Sequence, residues 1–202
     1  MSPDYSPNTI KAFINSYNPP QKTPPNGYKQ ASVLIPFYFQ KSEFSLVFMK
    51  RPDYEGPHGG QISFPGGGKD SADTNDLDTA VRETEEEFGI YREDIEIWGK
   101  LQPQYTTVSK YWVTPFVGLV KSSAEFQPSS DEVERLLIIP LNHLTDEANF
   151  SIGDYNWKGF DIPSYLYQYG DDIIWGLTAR IVFNLLSLLS GGQESDSHWP
   201  PT

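Results

Sequence analysis

Asp76-Leu77-Asp78-Thr79-Ala80-Val81-Arg82-Glu83-Thr84-Glu85-Glu86-Glu87-Phe88-Gly89 carries two patterns at once. Leu77, Ala80, Val81, Thr84 and Phe88 recur at helical spacing, so Asp76 to Phe88 is predicted to be a helix with a single buried stripe. Gly89 stands where a helix C-cap is expected. Glu83, Glu85, Glu86 and Glu87 crowd the same stretch. At about 100° per residue, Glu83, Glu86 and Glu87 fall on one face, apart from the apolar stripe. Three clustered carboxylates repel one another unless something positive sits between them, and an all-oxygen site of this kind suits Mg2+ or Mn2+. Read alone, an acidic run is a solvated face. Two neighbours point instead to a site. Arg82 precedes Glu86 by one helical turn, so an ion pair can fix a carboxylate's direction, and Pro65-Gly66-Gly67-Gly68 lies just upstream, where glycines let the backbone approach a metal or phosphate.

Outward from this helix, strands are predicted at Ala31–Phe39, Phe44–Lys50, Gln61–Phe64, Ile95–Leu101, Tyr111–Val120 and Leu136–Pro140. The turn-rich stretch 141–170 has room for two more, and a last helix is expected from about Asp171 to Leu189. Strands on both sides of a central helix, with another helix at the end, give an α/β sandwich. Residues 1–29 read as an N-terminal extension with a short helix around Ile10, Phe13, Ile14 and Tyr17. Residues 30–190 read as the folded domain, and 191–202 as a polar C-terminal tail.

Composition bounds the function. The 202 residues hold 27 acids against 15 bases, a net charge of −12, which disfavours nucleic acid as a partner. A small anionic substrate remains compatible if a divalent cation screens its phosphates. With no cysteine, disulfides, zinc-thiolate sites and cysteine nucleophiles are excluded together. No apolar run is long enough to span a membrane, and the opening residues lack the features of a signal peptide. The expected location is therefore the cytoplasm.

At the loop and helix the sequence resembles the Nudix hydrolase family. Arg82-Glu83-Thr84-Glu85-Glu86-Glu87-Phe88-Gly89-Ile90 is similar to the second half of its signature, with Thr84 at a position usually held by a bulky aliphatic. In the first half, counting from Gly67 puts Asp73 where the signature has a glutamate, with one extra residue before Arg82. That departure resembles the coenzyme A pyrophosphatase branch, as do Arg51 and His58-Gly59-Gly60-Gln61-Ile62-Ser63-Phe64-Pro65-Gly66-Gly67. Ala31–Pro36 and Ile174–Ile181 look like that branch's first strand and final helix. Pro52-Asp53-Tyr54-Glu55-Gly56-Pro57 lacks the leucine and basic residue usual there.

The resemblance implies a Nudix-type α/β/α sandwich with a mixed β-sheet, and a metal-dependent hydrolase acting on phosphoric anhydrides. Glu83, Glu86 and Glu87 would hold Mg2+ or Mn2+ with the Gly67 carbonyl, Arg82 would orient Glu86, and Glu83 is the first candidate for general base. Glu125, Asp131, Glu132 and Glu134 are alternatives for that role. Arg51, His58, Gly66 and Gly67 are candidate substrate contacts. Arg51 can equally be an ordinary ion pair, and His58 a structural residue of a glycine turn. Asp70 and Asp73 are expected chiefly as helix caps, and Trp175 and Arg180 read as core and a surface pair. The implied substrate is coenzyme A or a thioester, with other nucleoside diphosphate-X compounds (nucleotide sugar, ADP-ribose, dinucleoside polyphosphate) as the alternative and a catalytically silent nucleotide sensor as the third reading. The implied partner is a small nucleotide-linked molecule, and a homodimer stays open because Nudix enzymes often dimerise.

Overall fold

Strand β1 (Lys29–Gln40) alternates between two cores, with Ile35 and Phe37 entering one and Leu34 and Tyr38 the other. Strand β2 (Glu43–Lys50) does the same with Leu46 and Phe48 against Val47 and Met49. A sheet apolar on both faces needs a layer on each side. The chain supplies helix α1 (Pro7–Ser16) on one side, and on the other α2 (Asp76–Phe88), which packs on β1. The structure, a computed structural model, describes residues 5–40, 43–54, 59–106 and 109–192.

Short strands β3 (Ile62–Ser63) and β4 (Gly66–Gly68) precede α2. Strands β5 (Ile95–Lys100), β6 (Gln104–Tyr105), β7 (Tyr111–Val120) and β8 (Arg135–Pro140) follow it. Together they form an eight-stranded sheet with the main order β3-β2-β1-β7-β5, β4 pairing with β1, β6 with β7 and β8 with β2. β1 and β7 run parallel from Lys29↔Tyr111 to Tyr38↔Val120, while the other pairings are antiparallel, so the sheet is mixed. One edge of β1 is shared. The β4 pairing ends at Val33, the β2 pairing begins at Phe37, and Pro36 falls in the gap, where its missing N–H breaks no ladder on that side. That split lets the glycine segment enter the sheet beside α2.

After β8 come a short helix α3 (Leu141–Thr145), strands β9 (Phe150–Trp157), β10 (Phe160–Tyr169) and β11 (Asp172–Ile174), and helix α4 (Gly176–Leu189). The three strands make a second sheet in the order β11-β10-β9. Its Tyr165, Tyr167 and Ile174 enter the same core as α1's Ile10 and Ile14 and α4's Ile181 and Leu185.

The α/β sandwich with a mixed sheet is as expected, with three local differences. The last helix starts at Gly176 rather than Asp171, because Asp172–Ile174 pairs with β10 and Asp172 is held by Lys50 and Arg135. The glycine segment is a strand, β4, and the region expected as Gln61–Phe64 is ordered as strand only at Ile62–Ser63. Gln104–Tyr105, with no apolar alternation to announce it, adds a short strand to β7.

Candidate active site

Helix α2 begins at Asn75, whose side chain accepts from the N–H groups of Leu77 and Asp78 at 2.8 and 3.1 Å, and ends at Gly89 in the left-handed conformation. The cap expected of Asp70 or Asp73 is therefore made by Asn75. Asp70 closes its own turn instead, accepting from the Ala72 N–H at 2.9 Å. Thr79, Ala80, Val81, Thr84 and Phe88 are buried, which fixes the rotation of the helix about its axis. That rotation sends the three predicted ligands to different depths. Glu87 is 1% exposed, Glu83 15% and Glu86 54% by side chain.

Glu87 lies under the glycine strand. Its Oε1 accepts from Arg51 Nη2 and its Oε2 from the Gly66 N–H, both at 2.8 Å. Burial pushes its carboxyl up to about 7 despite those two donors. Glu83 faces Gly67 so closely that a Cβ on that glycine would stand 2.4 Å from its carboxylate. Burial raises Glu83 as well, and the charges of Glu86 and Glu132 add to the rise. Of the four distant acids, Glu132 is thus one whose charge reaches Glu83.

Arg82 organises the group. Its Nε and Nη2 donate to Asp73 Oδ1 and Oδ2, each at 3.0 Å, its Nη1 donates to Glu83 at 2.8 Å and Glu86 at 3.1 Å, and Nη2 also reaches the Gly68 carbonyl at 3.1 Å. Asp73 further accepts from the Thr79 hydroxyl at 2.9 Å and the Asp70 N–H at 2.8 Å, and the Arg82 guanidinium holds it well below the usual carboxylate range. The expected Arg82–Glu86 pair is present, but the Asp73 fork is the larger anchor. The signal for it was the count from Gly67, which placed Asp73 at a signature position.

Among the described residues, no group of three or more acids or histidines converges closely enough to hold an ion. Like charges repel, so Glu83 and Glu86 lean on Arg82, and Glu87 on Arg51 and Gly66. The donor set still suits a hard cation. The carboxylates of Glu83 and Glu87 are oxygen donors drawn from water beside a backbone whose Gly67 leaves no room for a side chain. Arg51, Gly66 and Gly67 line a cavity of about 510 Å³. His58 lies outside the described residues.

The cavity's remaining walls were not foreseen. Tyr105, Trp157, Ile162, Trp175, Leu177 and Arg180 line it. Arg180, expected in a surface pair, is 1% exposed, with Nη2 donating to the Tyr105 carbonyl at 2.5 Å and burial pulling its pKa down to about 10. Among the described residues that line the cavity, Arg51 and Arg180 carry charge and no carboxylate does, in a chain of net charge −12.

A sequence profile of the NUDIX domain matches residues 28–158. The chain belongs to the Nudix hydrolase family. It is 34% identical over 184 residues to an uncharacterized Nudix hydrolase, NudL, of Pectobacterium atrosepticum, a match covering 90% of this chain and 95% of that one. The NudL of Yersinia pestis strain Pestoides F is 37% identical over 162 residues, covering 80% of each. A NUDIX hydrolase structure from Alicyclobacillus acidocaldarius superposes with a TM-score of 0.55 at 13% identity, over 83% of this chain and 98% of that one, a likeness of fold. Strand β4 and helix α2 lie inside the matched span, and Trp175 to Ile181 lie beyond it.

Proposed function

We propose that this Nudix hydrolase cleaves the pyrophosphate bond of coenzyme A or its thioesters, giving 3′,5′-ADP and (acyl-)4′-phosphopantetheine, with Mg2+ or Mn2+ as cofactor. The observation that carries the reading is Glu87, a carboxylate 1% exposed and held by Arg51 and the Gly66 N–H, two groups that line a cavity with no carboxylate among its described lining residues. A buried carboxylate raised to about 7 is costly to keep unless it has work to do with positive charge.

Glu83, Glu86 and Glu87, with the Gly67 carbonyl, are the groups that would hold the divalent ion. When bound, it supplies neutralisation of diphosphate oxygens and acidification of water. Water attacks one phosphorus, the bond to the bridging oxygen breaks, and two phosphomonoesters leave. Glu83, whose affinity for a proton burial raises, would take the proton of that water. Arg82, clamped by Asp73, holds Glu83 and Glu86 in register. Arg51 lines the cavity with Gly66 and Gly67 and would serve there as a substrate contact.

Support for coenzyme A over other nucleoside diphosphate-X compounds comes from the sequence around Arg51, Gln61–Gly67 and Asp73. The silent-sensor reading is disfavoured because Glu83, Glu86 and Glu87 are all retained. Turnover of coenzyme A, acetyl-coenzyme A, ADP-ribose, a nucleotide sugar and a dinucleoside polyphosphate by the full chain in Mg2+ tests the substrate. Coenzyme A or its thioester is expected to have the highest kcat/KM. A far faster ADP-ribose or nucleotide sugar reaction would overturn the assignment.

A further inference from the structure

Part of the cavity wall is built by residues the catalytic motif does not contain. Trp157 at the end of β9, Ile162 on β10, and Trp175 with Leu177 at the junction of β11 and α4 face the same space as Arg51 and Gly66–Gly68. The Trp175 ring is stacked on Tyr155, with centroids 4.6 Å apart and planes 18° from parallel, and Trp157 leans on it at 5.9 Å. Tyr155 and Trp157 alternate with Asn156 on β9, so their side chains leave the strand on one face. The platform is anchored from behind. Asp172, 8% exposed, sits between Lys50 of β2 and Arg135 of β8 and ties β11, three residues before Trp175, to the main sheet.

We propose that the Trp157–Trp175 wall is the subsite for the substrate's nucleobase, which stacks on the indole while the diphosphate lies toward Arg51 and the glycine strand. The inference rests on the pyrophosphohydrolase reading and names the part of the substrate that this second sheet recognises. A flat, neutral, polarisable ring matches a pre-stacked indole face better than a flexible chain does, because little ordering is left to do on binding. The polar residues Ser109 and Thr178 line the same cavity, where a base edge can meet them. Among the described lining residues no carboxylate opposes the phosphates that accompany the base.

Calorimetric titration and tryptophan emission of the full chain with AMP, ribose 5-phosphate and 4′-phosphopantetheine test this. AMP is expected to bind and quench emission, with ribose 5-phosphate weaker by about tenfold or more. Trp175→Leu should weaken AMP by about tenfold and raise KM for the preferred substrate by a similar factor, with kcat little changed. Trp175→Phe should recover most of the affinity, and Trp157→Leu provides a second route to the loss. Phe160→Ser, on the exposed part of the same hairpin, should bind AMP as wild type does. Wild-type AMP affinity in folded Trp175→Leu and Trp157→Leu would overturn the proposal. So would a loss confined to 4′-phosphopantetheine, which would assign the wall to the apolar arm. AMP binding with this pattern but no diphosphate hydrolysis would fail the enzymatic reading and keep the subsite. Hydrolysis indifferent to both tryptophans would do the reverse.

Discussion

Arg82 and Asp73, nine residues apart, meet as a two-pronged pair in which Nε and Nη2 each lie 3.0 Å from a different carboxylate oxygen. The pair joins the loop after β4 to the middle of α2, and the same guanidinium also holds Glu83 and Glu86. Its planar fork matches two oxygens at once, which an ammonium cannot do. Asp73→Ala is therefore expected to lower stability by about 2–3 kcal/mol and to cut turnover at least tenfold by releasing Arg82 from the two glutamates. Arg82→Lys should lose nearly as much activity. Urea unfolding and steady-state kinetics on each variant check both; wild-type kcat in Asp73→Ala would contradict the positioning role.

Gly66 and Gly67 separate structural from chemical effects. A Cβ at Gly66 would stand 2.4 Å from the Ser32 carbonyl oxygen, which is backbone within the β1–β4 ladder, so Gly66→Ala is expected to destabilise the fold. A Cβ at Gly67 would meet the Glu83 side chain, which can swing away. Gly67→Ala should keep near-native thermal stability while losing most activity. The two melting temperatures and turnover numbers distinguish these outcomes.

Glu87 should make the chelated protein's stability depend on pH. A carboxyl raised from 4.5 to about 7 holds its proton more tightly in the folded chain than in the unfolded one. Its contribution is full below pH 4.5 and is lost as pH rises to about 7, a change on the order of 3 kcal/mol. Denaturant midpoints in EDTA across that range should fall for wild type relative to Glu87→Gln, which has no such proton to release. Parallel profiles for the two proteins would contradict the assignment.

Much of this was legible in the sequence because periodicity reports on burial. The stripe Leu77–Ala80–Val81–Thr84–Phe88 placed α2, and apolar runs bounded by polar turns placed β1, β2 and β7. The same helical geometry that put Glu83, Glu86 and Glu87 on one side could not give their depths, which depend on how far β4 overhangs the helix. The pairing of Asp73 with Arg82 crosses a loop whose path no local pattern specifies. β11 was read as helix because Asp172–Ile174 is too short to show alternation and is held by long-range partners on β2 and β8. Arg180 looked like a surface residue from its charge alone, and its place against the Tyr105 carbonyl and ring is a long-range contact that no local pattern announces.

Manganese-soaked crystals, read by anomalous diffraction, test the central claim most directly. Anomalous peaks are expected between the carboxylates of Glu83, Glu86 and Glu87 and the Gly67 carbonyl, with Glu86 drawn in from solvent. Peaks confined to other parts of the surface, with Glu83 and Glu87 still bonded only to arginine and backbone, would contradict it.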